Sequence, residues 1–246
     1  MFSWTLRRLC GVTLVSLFLL LAWDLSGLDV PLAHLAGDEH GFPLRSQHAF
    51  VLVMHAFPRT LSSMLVLGLL IGIVRPWSFL QRLTRTERTQ LALSVVGAML
   101  LVTAFKKMNT TSCPWDLAEF GGSARYVSHW LWGVRDGGPG HCFPAGHASS
   151  AFGFLAGWFV IRRAAPELSR RWLLLSLAFG LFLGLGQQLR GAHYMSHTLW
   201  TAFTCWTFGL LLDAALGLRA RHRVAASSHS PATAVSAASV SRPELS

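Results

Sequence analysis

Residues 9–23 read LCGVTLVSLFLLLAW, a run with no Asp, Glu, Lys or Arg, placed directly behind Arg7-Arg8. A bilayer core about 30 Å thick asks for roughly 20 apolar residues per helical crossing, and this run with its flanks approaches that length. No small-residue cleavage site of the Ala-x-Ala kind closes it, because Trp23-Asp24-Leu25 follows. It is therefore expected to stay as a helix with its N-terminus in the cytoplasm, leaving residues 24–47 outside. Apolar blocks of this kind recur along the chain, which is 52% hydrophobic and only 13% charged over 246 residues. That clustering points to lipid as the solvent.

Working outward, a second block covers about Phe50 to Val74 but contains Pro58 and Arg59, both costly at a bilayer centre. The expectation is a surface helix first and a crossing that starts near Leu61, with His48 and His55 as interfacial packing residues. A third crossing, about Leu91 to Phe105, stops at Lys106-Lys107 and opens a long segment that reaches His147. Such a loop exceeds ordinary connections and suggests function. Its Tyr126, Trp130 and Trp132 are expected at the headgroup level, where amphipathic aromatics collect. Further crossings at about Ala148–Ile161, Trp172–Leu189 and Thr198–Leu216 complete an all-α polytopic bundle of about six transmembrane helices, residues 1–220, with both termini cytoplasmic. From Arg221 to Ser246 the chain is rich in Ala and Ser and reads as a disordered cytoplasmic tail.

The formal charge of +10 would fit nucleic acid if it were clustered, but the cations lie between the apolar blocks. Arg7 and Arg8, Arg75 to Arg88, Arg162 to Arg171 and Arg219 to Arg223 fall on alternate connections, as cytoplasmic loops do. Nucleic acid is thereby set aside as a partner, and the bilayer is the expected one. Cys113 and Cys142 share the long outer loop, so an oxidising space would allow them to form a disulfide.

Three polar clusters share the outer face: Lys106 to Pro114, Pro144 to His147, and Arg190 to His197. Helix ends that meet there would gather Lys, His and Arg into one anion-binding pocket. One alternative takes His193 and His197, at i and i+4, as metal ligands with His141 or His147. It is the weaker one, because no carboxylate joins them and Lys106-Lys107 would repel a cation.

These clusters resemble the three-part pattern of the type 2 phosphatidic acid phosphatase superfamily, which includes membrane lipid phosphate phosphatases and vanadium haloperoxidases. The pattern is Lys, six residues, Arg-Pro; then Pro-Ser-Gly-His; then Ser-Arg, five residues, His, three residues, Asp. In this chain Lys106 is followed after six residues by Cys113-Pro114, the second part reads Pro144-Ala145-Gly146-His147, and the third runs from Gln187 through His193 to His197. The resemblance covers about Leu91 to Leu216, and it departs at Cys113, Gln187 and His197, where the family has arginine, arginine and aspartate.

What the resemblance implies is hydrolysis of a lipid phosphate or pyrophosphate, with no metal or other cofactor. His193 would be the nucleophile that becomes phosphohistidine, and His147 the acid for the leaving group. Lys106 and Arg190, with the loop backbone at Ala145 and Gly146, would hold the phosphate oxygens. Lys107, Arg125 or Arg135 would replace the missing arginine; Asp116 or Glu119 would fold back as the missing carboxylate, with His197 as an auxiliary group. The expected location is a bacterial inner membrane with the site facing the periplasm. A lipid-to-lipid phosphotransferase, or a binder or transporter of lipid phosphates, would use the same pocket.

Overall fold

The computed structural model describes residues 5–228, and among them no strand forms. The helices are α1 (Leu6–Ser26), α2 (Asp29–His34), α3 (His48–Val51), α4 (Phe57–Gly72), α5 (Arg85–Met108), α6 (Ser149–Ala164), α7 (Pro166–Leu189) and α8 (Met195–Ser228). Five helical runs are long and apolar enough to cross a membrane: Leu6–Ser26, His48–Gly72, Arg85–Met108, Pro166–Leu189 and Met195–Leu216. The chain is an all-α polytopic bundle.

The expected crossing at Ala148–Ile161 is α6, whose 16 residues include eleven that are buried. At 1.5 Å per residue it spans roughly 24 Å, and its neighbours α5, α7 and α8 surround it. α1, by contrast, fully buries only Leu9 and Leu20 and exposes Leu14, Val15, Phe18 and Leu19. Small residues let the central helices approach. A Cβ on Gly209 of α8 would come within 2.6 Å of the Ala156 backbone, and one on Gly180 of α7 would enter the Phe152 ring. Between apolar helices in lipid, such close van der Waals contact is a main source of association.

Polar clasps close both ends. At the far end, away from the three clusters, Asp213 of α8 accepts from Arg162 Nη2 at 2.6 Å and from Gln90 Nε2 at 3.3 Å, and pairs with Arg163 at 2.8 Å. α5 begins there with a capping box in which Thr84 and Glu87 satisfy each other's backbone N–H groups. At the cluster end, Asp29 of α2 accepts from the Ser196 backbone N–H at 3.0 Å and from its hydroxyl, so a carboxylate from one helix caps the start of α8.

Two expectations are corrected. Residues 48–72 form one continuous helical run, not a surface helix followed by a crossing, because a π-helical turn at Leu52–Ala56 absorbs the proline. Pro58 has no N–H for the Met54 carbonyl four residues earlier. Gln187 Nε2 of α7 donates to that carbonyl instead, at 2.9 Å. The second correction concerns the tail: α8 continues through Arg221 to Ser228, and residues 229–246 lie outside the described residues.

Candidate active site

The loop from 109 to 148 is built around side chains that replace regular secondary structure. Asn109 Oδ1 accepts from Thr111 N, Thr111 Oγ1 and Phe143 N, and buried Asp136 accepts from Ser112 Oγ at 2.8 Å and Gly138 N at 3.0 Å. Cys113 and Cys142 are joined as a disulfide across a sequence separation of 29 residues. Trp115 N donates to the Gly191 carbonyl and Ala145 N to the His197 carbonyl, so the loop is pinned to the start of α8 at both ends. Gly191, at φ 71°, makes the turn between α7 and α8, and a side chain there would also strike Phe42.

This framework brings the histidines together. The ring centres of His147 and His193 are 6.1 Å apart, those of His193 and His197 5.8 Å, and those of His147 and His55 4.2 Å. Lys106 of α5 lays its stem over the loop, where a Cβ on Gly146 would come within 3.3 Å of Lys106 Cδ. Burial first, then the neighbouring His55, Lys106, Arg190 and Arg59, disfavour a proton on His147. The backbone N–H groups of Gly146, His147 and Ala148 donate to no protein acceptor among the described residues, which leaves them free for an anion.

His193 is 2% exposed. Burial, then the nearby Lys106, holds its pKa well below the usual histidine range, so its imidazole is neutral and carries a lone pair. Its Nδ1 lies 3.6 Å from Cys142 Sγ, and the Cys142 carbonyl hydrogen-bonds to the ring. With Nδ1 on that side, Nε2 is the nitrogen left for chemistry.

Arg190 is clamped. Its Nε and Nη2 donate to the Arg45 carbonyl at 3.2 and 2.9 Å, and its Nη1 donates to Gln187 Oε1 at 3.1 Å. A guanidinium has five donors, so two N–H bonds remain for a ligand. Gln187, fully buried, thus binds the π-turn of residues 52–56 with its amide nitrogen and holds Arg190 with its oxygen.

Several residues stand elsewhere than expected. His55 is not interfacial packing; it lies against His147 because the π-turn rotates it inward. Lys107, Arg125 and Arg135 are exposed. Asp116 is engaged within the loop, accepting from Trp115 Nε1 at 3.0 Å and from Cys113 N at 3.4 Å, and burial raises its pKa. Glu119 faces His34 at 3.4 Å. Neither carboxylate takes the place that His197 occupies. Trp130 turns its Nε1 onto Asp24 Oδ2 at 3.0 Å, tying the loop to α1. A metal set of Cys113, Cys142 and His193 has converging atoms, but cysteines in a disulfide offer no thiolate.

A model of the PAP2 superfamily matches residues 88–219, more than half of the chain. The chain belongs to the PAP2 superfamily. Comparison with curated proteins and with solved structures gives no match. The PAP2 superfamily includes phosphatases, which supports a phosphoester hydrolase. In this PAP2 chain the matched region supplies Lys106, His147, Arg190 and His193, while His55, Arg45 and Met54 come from before it.

The electrostatics predict acid sensitivity. Burial, then the charges of His55 and Lys106, lowers the His147 pKa from 6.5 to about 3. A folded-state value below the unfolded one means stability is fully present above about pH 6.5 and is lost as pH falls towards about 3. Thermal unfolding in detergent across that window should show the loss, and inorganic phosphate should reduce it by favouring imidazolium. A His147→Gln variant with the same pH slope would contradict this origin.

Proposed function

We propose that this PAP2 protein hydrolyses a lipid phosphate or pyrophosphate at the exoplasmic membrane face through a phosphohistidine. The observation that carries this reading is the pair of imidazoles, His147 and His193, 6.1 Å apart between Lys106 and Arg190 at one end of a membrane-length bundle. One phosphoryl group can touch both rings, since an attacked atom stands about 3–3.5 Å from its nucleophile.

His193 Nε2 attacks phosphorus, and the bond from phosphorus to the lipid oxygen breaks. That oxygen leaves with a proton from His147. Burial and the neighbouring charges keep His147 neutral, but an arriving phosphate dianion offsets the surrounding cations and favours its protonated form. Water then attacks the phosphohistidine, His147 takes the water proton, and the P–N bond breaks. Lys106, the two free Arg190 N–H bonds and the loop amides hold the charge on the oxygens.

Lipid as substrate is supported by the site's place at the end of helices with outward apolar faces, such as Phe18 of α1 and Phe179 and Phe182 of α7. An exoplasmic site in a bacterial inner membrane is supported by the disulfide at the cluster end and by arginines at the other. The test is phosphate release by purified protein from phosphatidic acid, phosphatidylglycerophosphate, isoprenyl pyrophosphate and lipid A phosphates, with excess chelator. Turnover of at least one is expected; binding without release throughout would leave a binder and overturn the enzyme reading.

A further inference from the structure

Two rings adjoin His147. His193 stands 6.1 Å away between ring centres, and His55 stands 4.2 Å away. His55 belongs to the membrane-length run His48–Gly72, and the π-turn at Leu52–Ala56 sets it against His147. Arg59 follows four residues later, about one turn along and on the same face. At 1.5 Å per residue it lies roughly 6 Å further from the cluster end, towards the middle of the bilayer.

The phosphoryl transfer to His193 makes no use of His55 or Arg59. Arg59 is exposed, and among the described residues its guanidinium has no hydrogen bond or ion pair. A cation inside an apolar run is costly and calls for an anion. The charged groups that act on His147 are His55, Lys106, Arg190 and Arg59, and those that act on His55 are Arg190 and Arg59. No carboxylate is among them. Asp116, the acid of the neighbouring loop, is taken by Arg45 at 3.9 Å and by the Trp115 indole.

Lys106, Arg190 and the loop amides already serve the attacked phosphoryl group, so a further basic pair on its membrane side exceeds what a monoester would occupy. In a lipid monophosphate the phosphate is followed by an alkyl oxygen, which brings no charge towards the bilayer. In a lipid diphosphate the phosphate joined to the chain lies between the attacked group and the bilayer, on the side where Arg59 stands.

We propose that His55 and Arg59 form a seat for a second phosphate, which makes the substrate a lipid diphosphate. This rests on the phosphohistidine reading. His193 Nε2 attacks the terminal phosphorus, and the bond from that phosphorus to the bridging oxygen breaks. The lipid monophosphate leaves with the electron pair and takes a proton from His147. His55 and Arg59 meet the charge that grows on it, and Arg190, which acts on both His147 and His55, is shared by the two phosphates. Water then frees inorganic phosphate from His193.

The test compares farnesyl diphosphate with farnesyl monophosphate, which share one chain, by initial phosphate release in neutral-detergent micelles. Arg59→Gln and His55→Gln should each lower the ratio of diphosphate to monophosphate kcat/KM about tenfold or more, as loss of a hydrogen bond to a charged group does. A headgroup phosphate of a neighbouring lipid resting on Arg59 would serve both substrates alike, so an unchanged or raised ratio in either variant overturns the seat. Thermal unfolding reports folding. If a variant does not fold, wild type decides: methylenediphosphonate should inhibit at least about tenfold more tightly than methylphosphonate, and equal inhibition overturns the seat as well. A wild type inert on both substrates, or a fully active His193→Ala protein, would instead defeat the phosphohistidine reading.

Discussion

Replacing His193 with alanine should cut phosphate release by at least about four orders of magnitude, as removal of a covalent nucleophile does elsewhere. The effect should be on kcat, because Lys106, Arg190 and the loop amides still bind the phosphate. A second readout makes the result specific. Rapid quenching of wild type with labelled substrate should trap a phosphoprotein that is lost in acid and stable in base, and the His193→Ala protein should trap none. His193 is buried and close to the Cys142 carbonyl, so its removal leaves a small cavity without exposing an unpaired charge. A trapped phosphoprotein of undiminished yield in the variant would show that another residue attacks.

The His147→Ala variant should separate the two half-reactions. With a lipid phosphate the departing alkoxide needs a proton, and loss of the acid should slow the reaction about 10²- to 10⁴-fold. Nitrophenolate leaves without that help. With p-nitrophenyl phosphate the variant should therefore release nitrophenol in a burst of one equivalent per active protein, followed by slow turnover, because the same histidine is needed to activate water. Steady turnover with no burst, at the wild-type rate, would place the group that activates water elsewhere, and the ring of His55 lies 4.2 Å from that of His147.

Much of the architecture is legible in the apolar blocks because lipid imposes length and hydrogen-bond closure on every crossing. Helices α1, α5, α7 and α8 cover the blocks read from composition, with ends shifted by capping residues such as Thr84. Residues 48–72 depart from the expected surface helix for a definite reason. The cost of Pro58 is local, whereas its remedy, the Gln187 amide, lies 133 residues away in the chain. No local pattern carries that information.

The site divides in the same way. His147, His193, Lys106 and Arg190 sit at recognisable spacings within one stretch of chain, whereas His55 joins them only through a π-turn in a helix without motif residues. A proline and an arginine inside an apolar helix, three and four residues after a histidine, are the available signal. Asp24 follows the first apolar block, and His129 lies in the long loop outside the three polar clusters. Their meeting is set by Trp130 and Trp200, whose indoles come from the loop and from α8. The acidic residues that did look available, Asp116 and Glu119, were taken by Trp115 and His34.

The Met54 carbonyl left open by Pro58 has a wider consequence for how this molecule can be divided. Through Gln187 it moors the guanidinium of Arg190 to a helix that precedes the family-matched segment, and the Arg45 carbonyl adds a second mooring from the same side. Grafting residues 88–219 onto foreign leading helices would carry over all of the recognisable residues yet set Arg190 adrift. The first third of the chain is a working part of the machine, and a transplant would have to bring it along.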